Sequence, residues 1–178
     1  ITSYDLTYGS LAGAMIAQNP DLATAFSGGL AEVSVFWTER VPIKNGDTLV
    51  DPDVAVRCKS RNDYLKSRGI GDLKSVANER RRPFPQACKY AIRDYRHDLQ
   101  VAHYLKGRAE MPALFKAAKV FFHGTHSDAD KASAMALLEK IAATEEFAFQ
   151  FVFFQKSGAP RTWSRVYSPE SKKGDRHA

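Results

Sequence analysis

Phenylalanine occupies every second position from Phe147 to Phe153, in the segment FAFQFVFFQK. Neighbouring side chains of a β-strand point to opposite faces, so this spacing puts the four rings on one face of a strand. A second alternating segment, LAEVSVFWTER, places Val33, Val35 and Trp37 together on one face in the same way. These two segments predict strands of a sheet whose faces differ in polarity.

The remaining segments predict the order of the other elements. Strands are predicted at 31–37, 54–64, 70–76, 148–155 and 162–167. Helices are predicted at 4–26, at 86–106 and from Ser127 or Asp128 onward. Asn45 and Gly46 mark a hairpin, and the long helix can carry the chain to the far side of the sheet. We therefore predict an α/β (α+β mixed) fold with a central mixed β-sheet flanked by helices, in one domain over 1–168 with a flexible tail at 169–178.

Charge and composition restrict the classes of partner and the compartment. The chain carries a net charge of +6, and its basic residues cluster between Arg57 and Arg96. This clustering fits a phosphate-rich partner, although a solvated basic face is an alternative. No apolar run reaches the roughly 20 residues that cross a bilayer, and the first residues do not read as a signal peptide. With Cys58 and Cys88 as its two cysteines, the chain is expected to be cytoplasmic, without a disulfide framework or a membrane partner.

The tripeptide Asp72-Leu73-Lys74 lies in the third predicted strand, nine residues after Asp63. Residues two apart share a face, so Asp72 and Lys74 project together while Leu73 points into the core on the other side. A short turn would bring Asp63 beside Asp72. Two adjacent carboxylates repel unless a cation lies between them, and Mg²⁺ prefers such oxygen ligands. The pattern predicts a metal site with a lysine that can stabilise charge on a phosphate, and an ion pair on a surface strand is the alternative.

Two further segments lie close to these residues in the sequence. His97, Gln100 and Tyr104 fall on one face of the long predicted helix, where Gln100 and Tyr104 form a Gln-x-x-x-Tyr pair. The two histidines of that helix, His97 and His103, are more typical of helix-surface or packing positions. The basic loop NERRRPFP follows the lysine strand, and we expect its three adjacent arginines to bind phosphate without sequence preference, with a solvated loop as the alternative.

An acid on one strand, Asp-x-Lys-Ser on the next and a helix with Gln-x-x-x-Tyr resemble the RecB-like nucleases of the PD-(D/E)xK superfamily. The closer resemblance is to the RecE (exodeoxyribonuclease VIII) C-terminal domain and its phage relatives, since the chain contains, in that family's order, AEVSVFWTER, CKSRNDYL, GDLKS and YRHDLQVAHYLKG. The resemblance covers most of residues 10–168. It implies a restriction-endonuclease-like core and hydrolysis of DNA phosphodiester bonds that depends on Mg²⁺ or Mn²⁺.

The resemblance also implies roles for individual residues. The implied metal ligands are Asp63, Asp72, the carbonyl of Leu73 and, as a weaker outer acid, Glu32. The implied catalytic residues are Lys74, Asp72, Asp63, Gln100 and Tyr104. The expected nucleic-acid contacts are Lys59, Arg61, Arg80, Arg81 and Arg82.

The chain departs from that family in one respect. Its members usually carry a histidine on a helix before these strands, whereas the first histidine here is His97. We expect either that an N-terminal helix is missing from this sequence or that the ligand has been lost. The expected partners are double-stranded DNA, a single-strand annealing protein of the RecT type and other copies of the chain.

Three functions remain open from the sequence. The first is a 5′–3′ double-strand exonuclease acting in recombination. The second is a catalytically impaired module of the same fold that binds DNA or a partner. The third is a structure-specific or restriction-type endonuclease.

Overall fold

The structure is a computed structural model that describes residues 3–156 and 158–168, so the tail predicted at 169–178 lies outside the described residues. The helices are α1 (Ser3–Gln18), α2 (Phe84–Asp94), α3 (His97–Lys116) and α4 (Asp128–Ala142). The strands are β1 (Leu30–Asn45), β2 (Thr48–Lys66), β3 (Gly69–Val76), β4 (Ala148–Gln155) and β5 (Thr162–Tyr167). None of the helices in these ranges has the length and apolar character needed to span a membrane.

The five strands form one sheet in the order β1-β2-β3-β4-β5. Neighbouring strands are antiparallel except β3 and β4, which are parallel. Parallel neighbours need a long connection, and the chain between them forms α2, α3 and α4. The mixed sheet flanked by helices is therefore confirmed, and β4 and β5 have the predicted bounds.

The first two strands are longer than predicted and form a two-stranded ribbon. Their pairing runs from Leu30 opposite Leu65 to Asn45 opposite Thr48, and Gly46 with a φ of 59° lies in the tight turn. The sequence predicted only a turn over IKNGDTLVDPD, residues 43–53, with the hairpin signal at Asn45 and Gly46. The ribbon accommodates Pro42 where the register shifts between Val41 and Ile43, as prolines are tolerated at bulges and exposed edges.

The single helix predicted at 86–106 is wrong, because the chain forms two helices there. Arg96 adopts a left-handed conformation (φ 52°, ψ 43°), which separates α2 from α3. The predicted stop at Gly107 is also wrong, since α3 continues to Lys116. A Cβ at Gly107 would lie 2.7 Å from the Trp37 ring, so this glycine allows close packing of the helix on the sheet. The helix predicted at 4–26 ends at Gln18, and turns follow.

Helices cover both faces of the central strands. On one face Phe149, Phe151 and Phe153 are fully buried in the main core beneath α2, α3 and α4, which confirms three of the four rings predicted for that face; Phe147 lies just before β4. On the other face Val152 packs against Ile16 of α1 and the residues that follow it. Opposite faces of β4 are thus buried by different helices, and β3 beside it lies in the same layered arrangement.

Candidate active site where β2 and β3 separate

The strands β2 and β3 are paired only next to the turn that joins them. The pairs are Tyr64–Gly71, Leu65–Ile70 and Lys66–Gly69. Beyond these pairs β2 remains paired with β1, whereas β3 remains paired with β4. We call the gap that opens between β2 and β3 the cleft. Asp63 and Asp72 are the first residues of the two strands past the last pair, so both acids stand where the cleft begins.

Asp63 directs its carboxylate across the cleft. Its Oδ2 accepts a hydrogen bond of 3.0 Å from the backbone N–H of Leu73. The N–H and C=O of one strand residue point to the same edge, so the Leu73 carbonyl also lies on the edge that faces β2. The sequence predicted that the Leu73 side chain points into the core, and this prediction is wrong. The side chain is 39% exposed and borders an open apolar groove beside α1.

Asp72 and Lys74 project together from β3 toward α3. Asp72 is only 1% exposed, and its Oδ1 accepts a hydrogen bond of 2.7 Å from Nε2 of Gln100. The Nζ of Lys74 lies 2.5 Å from Oδ2 of Asp72, and the lysine side chain is 24% exposed. The alternation of β3 and the N-terminal part of α3 thus bring an acid, a lysine and an amide together.

Burial raises the pKa of Asp72. Lys74 and Gln100 favour the ionised carboxylate and oppose this rise, whereas the negative charge of Asp63 adds to it. The two carboxylates therefore interact, and a cation between them would relieve their repulsion. Burial also lowers the pKa of His97, and the nearby ammonium of Lys74 lowers it further.

His97 is closer to this site than its sequence position suggested. Its ring centroid lies 5.3 Å from that of Phe151, and it interacts with Gln100. The signal in the sequence is its position three residues before Gln100, on the same helix face. His103, by contrast, stacks on Trp37 at 4.9 Å and contacts the unpaired edge of β2.

The donor atoms of the cleft fit a hard divalent cation. Two carboxylates and one backbone carbonyl lie along it, and oxygen ligands suit Mg²⁺ or Mn²⁺. Oδ2 of Asp72 is buried and lies 2.5 Å from Nζ of Lys74, so a cation that bound this oxygen would compete with the ammonium. Within residues 3–156 and 158–168, no cluster of three or more His, Cys, Asp or Glu side chains could hold a metal. A cation here would use Asp63 and Asp72 and complete its shell with water and substrate oxygens, as Mg²⁺ commonly does.

Two of the expected site residues lie in other surroundings. Tyr104 is one turn beyond Gln100 and packs edge-on against Phe149, with ring centroids 6.0 Å apart. Glu32 of β1 stands between Ala31 and Val33, which pair with Tyr64 and Asn62 of β2, and it has a left-handed conformation with φ 58°. Its carboxylate forms an exposed ion pair of 2.5 Å with Nε of Arg61.

The expected nucleic-acid contacts fall into two groups. Lys59 and Arg61 are exposed on β2, and the buried Ser60 between them lies under Gly107 of α3. Because strand residues alternate, these two cations project from the face turned away from Gln100.

The arginine loop, residues 80–82, forms the second group beside the end of β3. It borders a cavity of about 450 Å³ that is also lined by Ser75, Tyr95 and Lys156. The guanidinium of Arg82 stacks over Tyr90 at 4.4 Å, and the side chain of Asn78 hydrogen-bonds both the N–H and the C=O of Arg82. The loop is thus held close to the lysine strand.

Comparisons with protein-family models, with curated proteins and with solved structures find no match to this chain. Its function is therefore inferred from the arrangement of its own residues.

Replacing Asp72 by Asn is expected to change how stability depends on pH. The pKa of Asp72 is raised in the folded protein, so the folded state binds this proton more tightly than the unfolded chain. Ionising the buried carboxylate costs the folded protein stability. This cost is absent below the ordinary pKa of 3.8, and it grows as pH rises through the pKa that Asp72 has in the folded protein. In urea unfolding with EDTA, Asp72→Asn should therefore gain stability relative to wild type between acid and neutral pH. A stability difference that stays constant with pH would contradict this assignment.

Proposed function

We propose that this chain is a metal-dependent deoxyribonuclease with a PD-(D/E)xK core that hydrolyses phosphodiester bonds of DNA. The observation that supports this proposal is the convergence of Asp63, Asp72 and Lys74 where β2 and β3 separate, with Gln100 hydrogen-bonded to Asp72. The resemblance to RecE favours a 5′–3′ double-strand exonuclease that works in recombination. The same resemblance is our reason for proposing self-assembly and a RecT-type annealing partner.

A bound Mg²⁺ or Mn²⁺ would supply Lewis acidity and lower the pKa of a bound water. The chain's own residues would hold and orient the reactants. Asp63 and Asp72 would bind the metal, and the Gln100 amide fixes one oxygen of Asp72. The Leu73 carbonyl lies on the edge of β3 that faces β2. Lys74 is partly exposed beside them, so its ammonium can stabilise negative charge that develops on a phosphate in the cleft.

Positive charge near the cleft supports DNA as the substrate. The arginine loop lies at the end of the strand that carries Lys74, and the chain has a net charge of +6. Cations placed beside a phosphodiester site bind the DNA backbone without reading its sequence. Such contacts suit an enzyme that must act on successive phosphates.

A second candidate is a module of the same fold that binds DNA without cutting it. The observation in its favour is the ion pair of 2.5 Å between Lys74 and Asp72, because the lysine already provides a positive charge for the buried carboxylate. If this pair persisted when DNA was bound, the carboxylate would be less available to a metal.

A cleavage assay separates these functions. Linear and closed-circular duplexes are incubated with the protein in Mg²⁺ or Mn²⁺, and EDTA serves as the control. Shortening of the linear duplex alone, lost in EDTA, is the expected result for the exonuclease. Nicking of circles would assign an endonuclease. Retardation of DNA without any product in either metal would assign the binding module and reject hydrolysis.

A further inference from the structure

Along the central part of the β1–β2 ribbon, one face is covered by none of the helices within residues 3–156 and 158–168. We call this face the ribbon platform, and it consists of the paired residues Ser34–Arg61, Phe36–Lys59 and Thr38–Arg57. All of these residues are exposed. The opposite face carries Val35 and Trp37, which are buried beneath α3. The ribbon is therefore anchored by one face and presents the other to solvent.

An aromatic ring stands at the centre of the ribbon platform. Phe36 is 61% exposed although it lies in a regular part of β1. The Nζ of Lys59 lies over this ring, 5.2 Å from its centroid, so the ring already has one cation of the platform as a neighbour. A phenylalanine so placed adds nothing to the core, and its flat surface is available for stacking.

Three cations form a row beside this ring. Arg57, Lys59 and Arg61 alternate along β2, so consecutive members are about 7 Å apart. Arg61 is paired with Glu32, whereas neither Arg57 nor Lys59 forms an ion pair with another described residue. The platform is thus basic, linear and aromatic at its centre.

We infer that the ribbon platform binds single-stranded nucleic acid, with a base stacked on Phe36 and the backbone phosphates along Arg57, Lys59 and Arg61. Base stacking on aromatic side chains and a row of cations together characterise surfaces that bind single strands. Duplex bases are already stacked on one another, so a duplex could use the cations but not the ring. The charge of the row makes a polyanion the matching occupant of this open sheet face.

This inference goes beyond the proposed function. The platform is on the face of β2 turned away from α3, whereas Gln100 and Asp72 meet on the α3 side. Binding there requires neither metal nor cleavage. It can therefore be measured in EDTA, where hydrolysis is excluded, and its failure would not bear on the nuclease assay.

The test measures fluorescence anisotropy of a labelled oligothymidylate in EDTA. Phe36→Ala should weaken binding about 5- to 150-fold, which corresponds to the loss of stacking with one base. Phe36→Trp should retain the affinity. The matched control is Phe121→Ala, because Phe121 is 90% exposed and lies outside the platform. Phe36→Ala should leave the affinity for a duplex of equal length unchanged.

A second measurement addresses the cations. Lys59→Ala should reduce the slope of log affinity against log salt concentration by about 0.7, the value for one phosphate contact with a single strand. The inference is overturned if Phe36→Ala binds the oligonucleotide as Phe121→Ala does, or if an abasic strand binds as tightly as oligothymidylate. Unfolding curves of Phe36→Ala and Phe121→Ala should match wild type, because both rings are largely exposed.

Discussion

Lys74→Ala should lower the rate of metal-dependent DNA cleavage by at least about 10²- to 10³-fold, the usual cost of removing one preorganised donor from a reacting centre. The expected cause is loss of the ammonium that lies beside the buried carboxylate of Asp72 in the cleft. Affinity for duplex DNA should change little, since one cation among many is removed. Lys89→Ala is the matched control, because Lys89 is exposed on α2 and lies outside the cleft.

A comparison with Asp72→Ala separates charge stabilisation from metal binding. Both variants should cleave DNA much more slowly than wild type, but only Asp72→Ala should lose affinity for Mn²⁺ in a calorimetric titration, because Lys74 is not a metal ligand in the proposed site. Lys74→Ala leaves a buried carboxylate without its cation, so its folded state must be checked by an unfolding curve. If Lys74→Ala cleaves DNA at the wild-type rate while Asp72→Ala does not, the role proposed for the lysine is wrong.

Arg108→Ala should destabilise the fold by about 3–5 kcal/mol, as expected when a large buried side chain is truncated and the carbonyls that it bonds lose their donor. Arg108 is 1% exposed, and its Nη2 donates to the carbonyls of Ser67, Ile141 and Thr144. Burial lowers the pKa of its guanidinium to about 10, so the group is still charged at neutral pH.

The position of the Arg108 guanidinium explains how it stabilises the fold. Ile141 belongs to the last turn of α4 and Thr144 follows that helix, so the guanidinium lies at the negative end of the helix dipole. The bond to Ser67 ties the same group to the turn between β2 and β3. One side chain of α3 thereby joins three parts of the chain, and its guanidinium also stacks on Phe147 at 4.6 Å.

Urea unfolding of three variants tests this role. Arg108→Lys should recover only part of the lost stability, because a single ammonium cannot reproduce the planar fork of a guanidinium. Arg40→Ala is the control, since Arg40 forms an exposed ion pair with Asp53 and should matter little. A loss below about 1 kcal/mol for Arg108→Ala would mean that the three carbonyls find other donors, water included.

The sequence predicted those parts of the fold that depend on local periodicity. Alternating phenylalanines identified β4 with its bounds, and the spacing of Asp72 and Lys74 identified side chains that share a face. Both follow from strand geometry alone, which tertiary contacts modify little.

Tertiary packing decided the features that the sequence did not predict. Gly107 is a helix-stop signal in isolation, yet here it lets α3 approach Trp37. Arg96 has no intrinsic preference for the left-handed conformation that divides the predicted helix. The cleft could not be predicted either, because no local sequence signal indicates that β2 and β3 separate after the Tyr64–Gly71 pair.

The short pairing of β2 with β3 has a mechanical consequence. Asp63 belongs to the ribbon and Asp72 to the strands beyond it, so rotation about the Tyr64–Gly71 pair would change the separation of the two carboxylates. Two contacts of α3 with the ribbon oppose that rotation. His103 hydrogen-bonds the Lys59 carbonyl, and Lys106 donates to the carboxylate of Glu39. A force on the outer end of the ribbon would therefore change the spacing of Asp63 and Asp72, the two metal ligands that we propose.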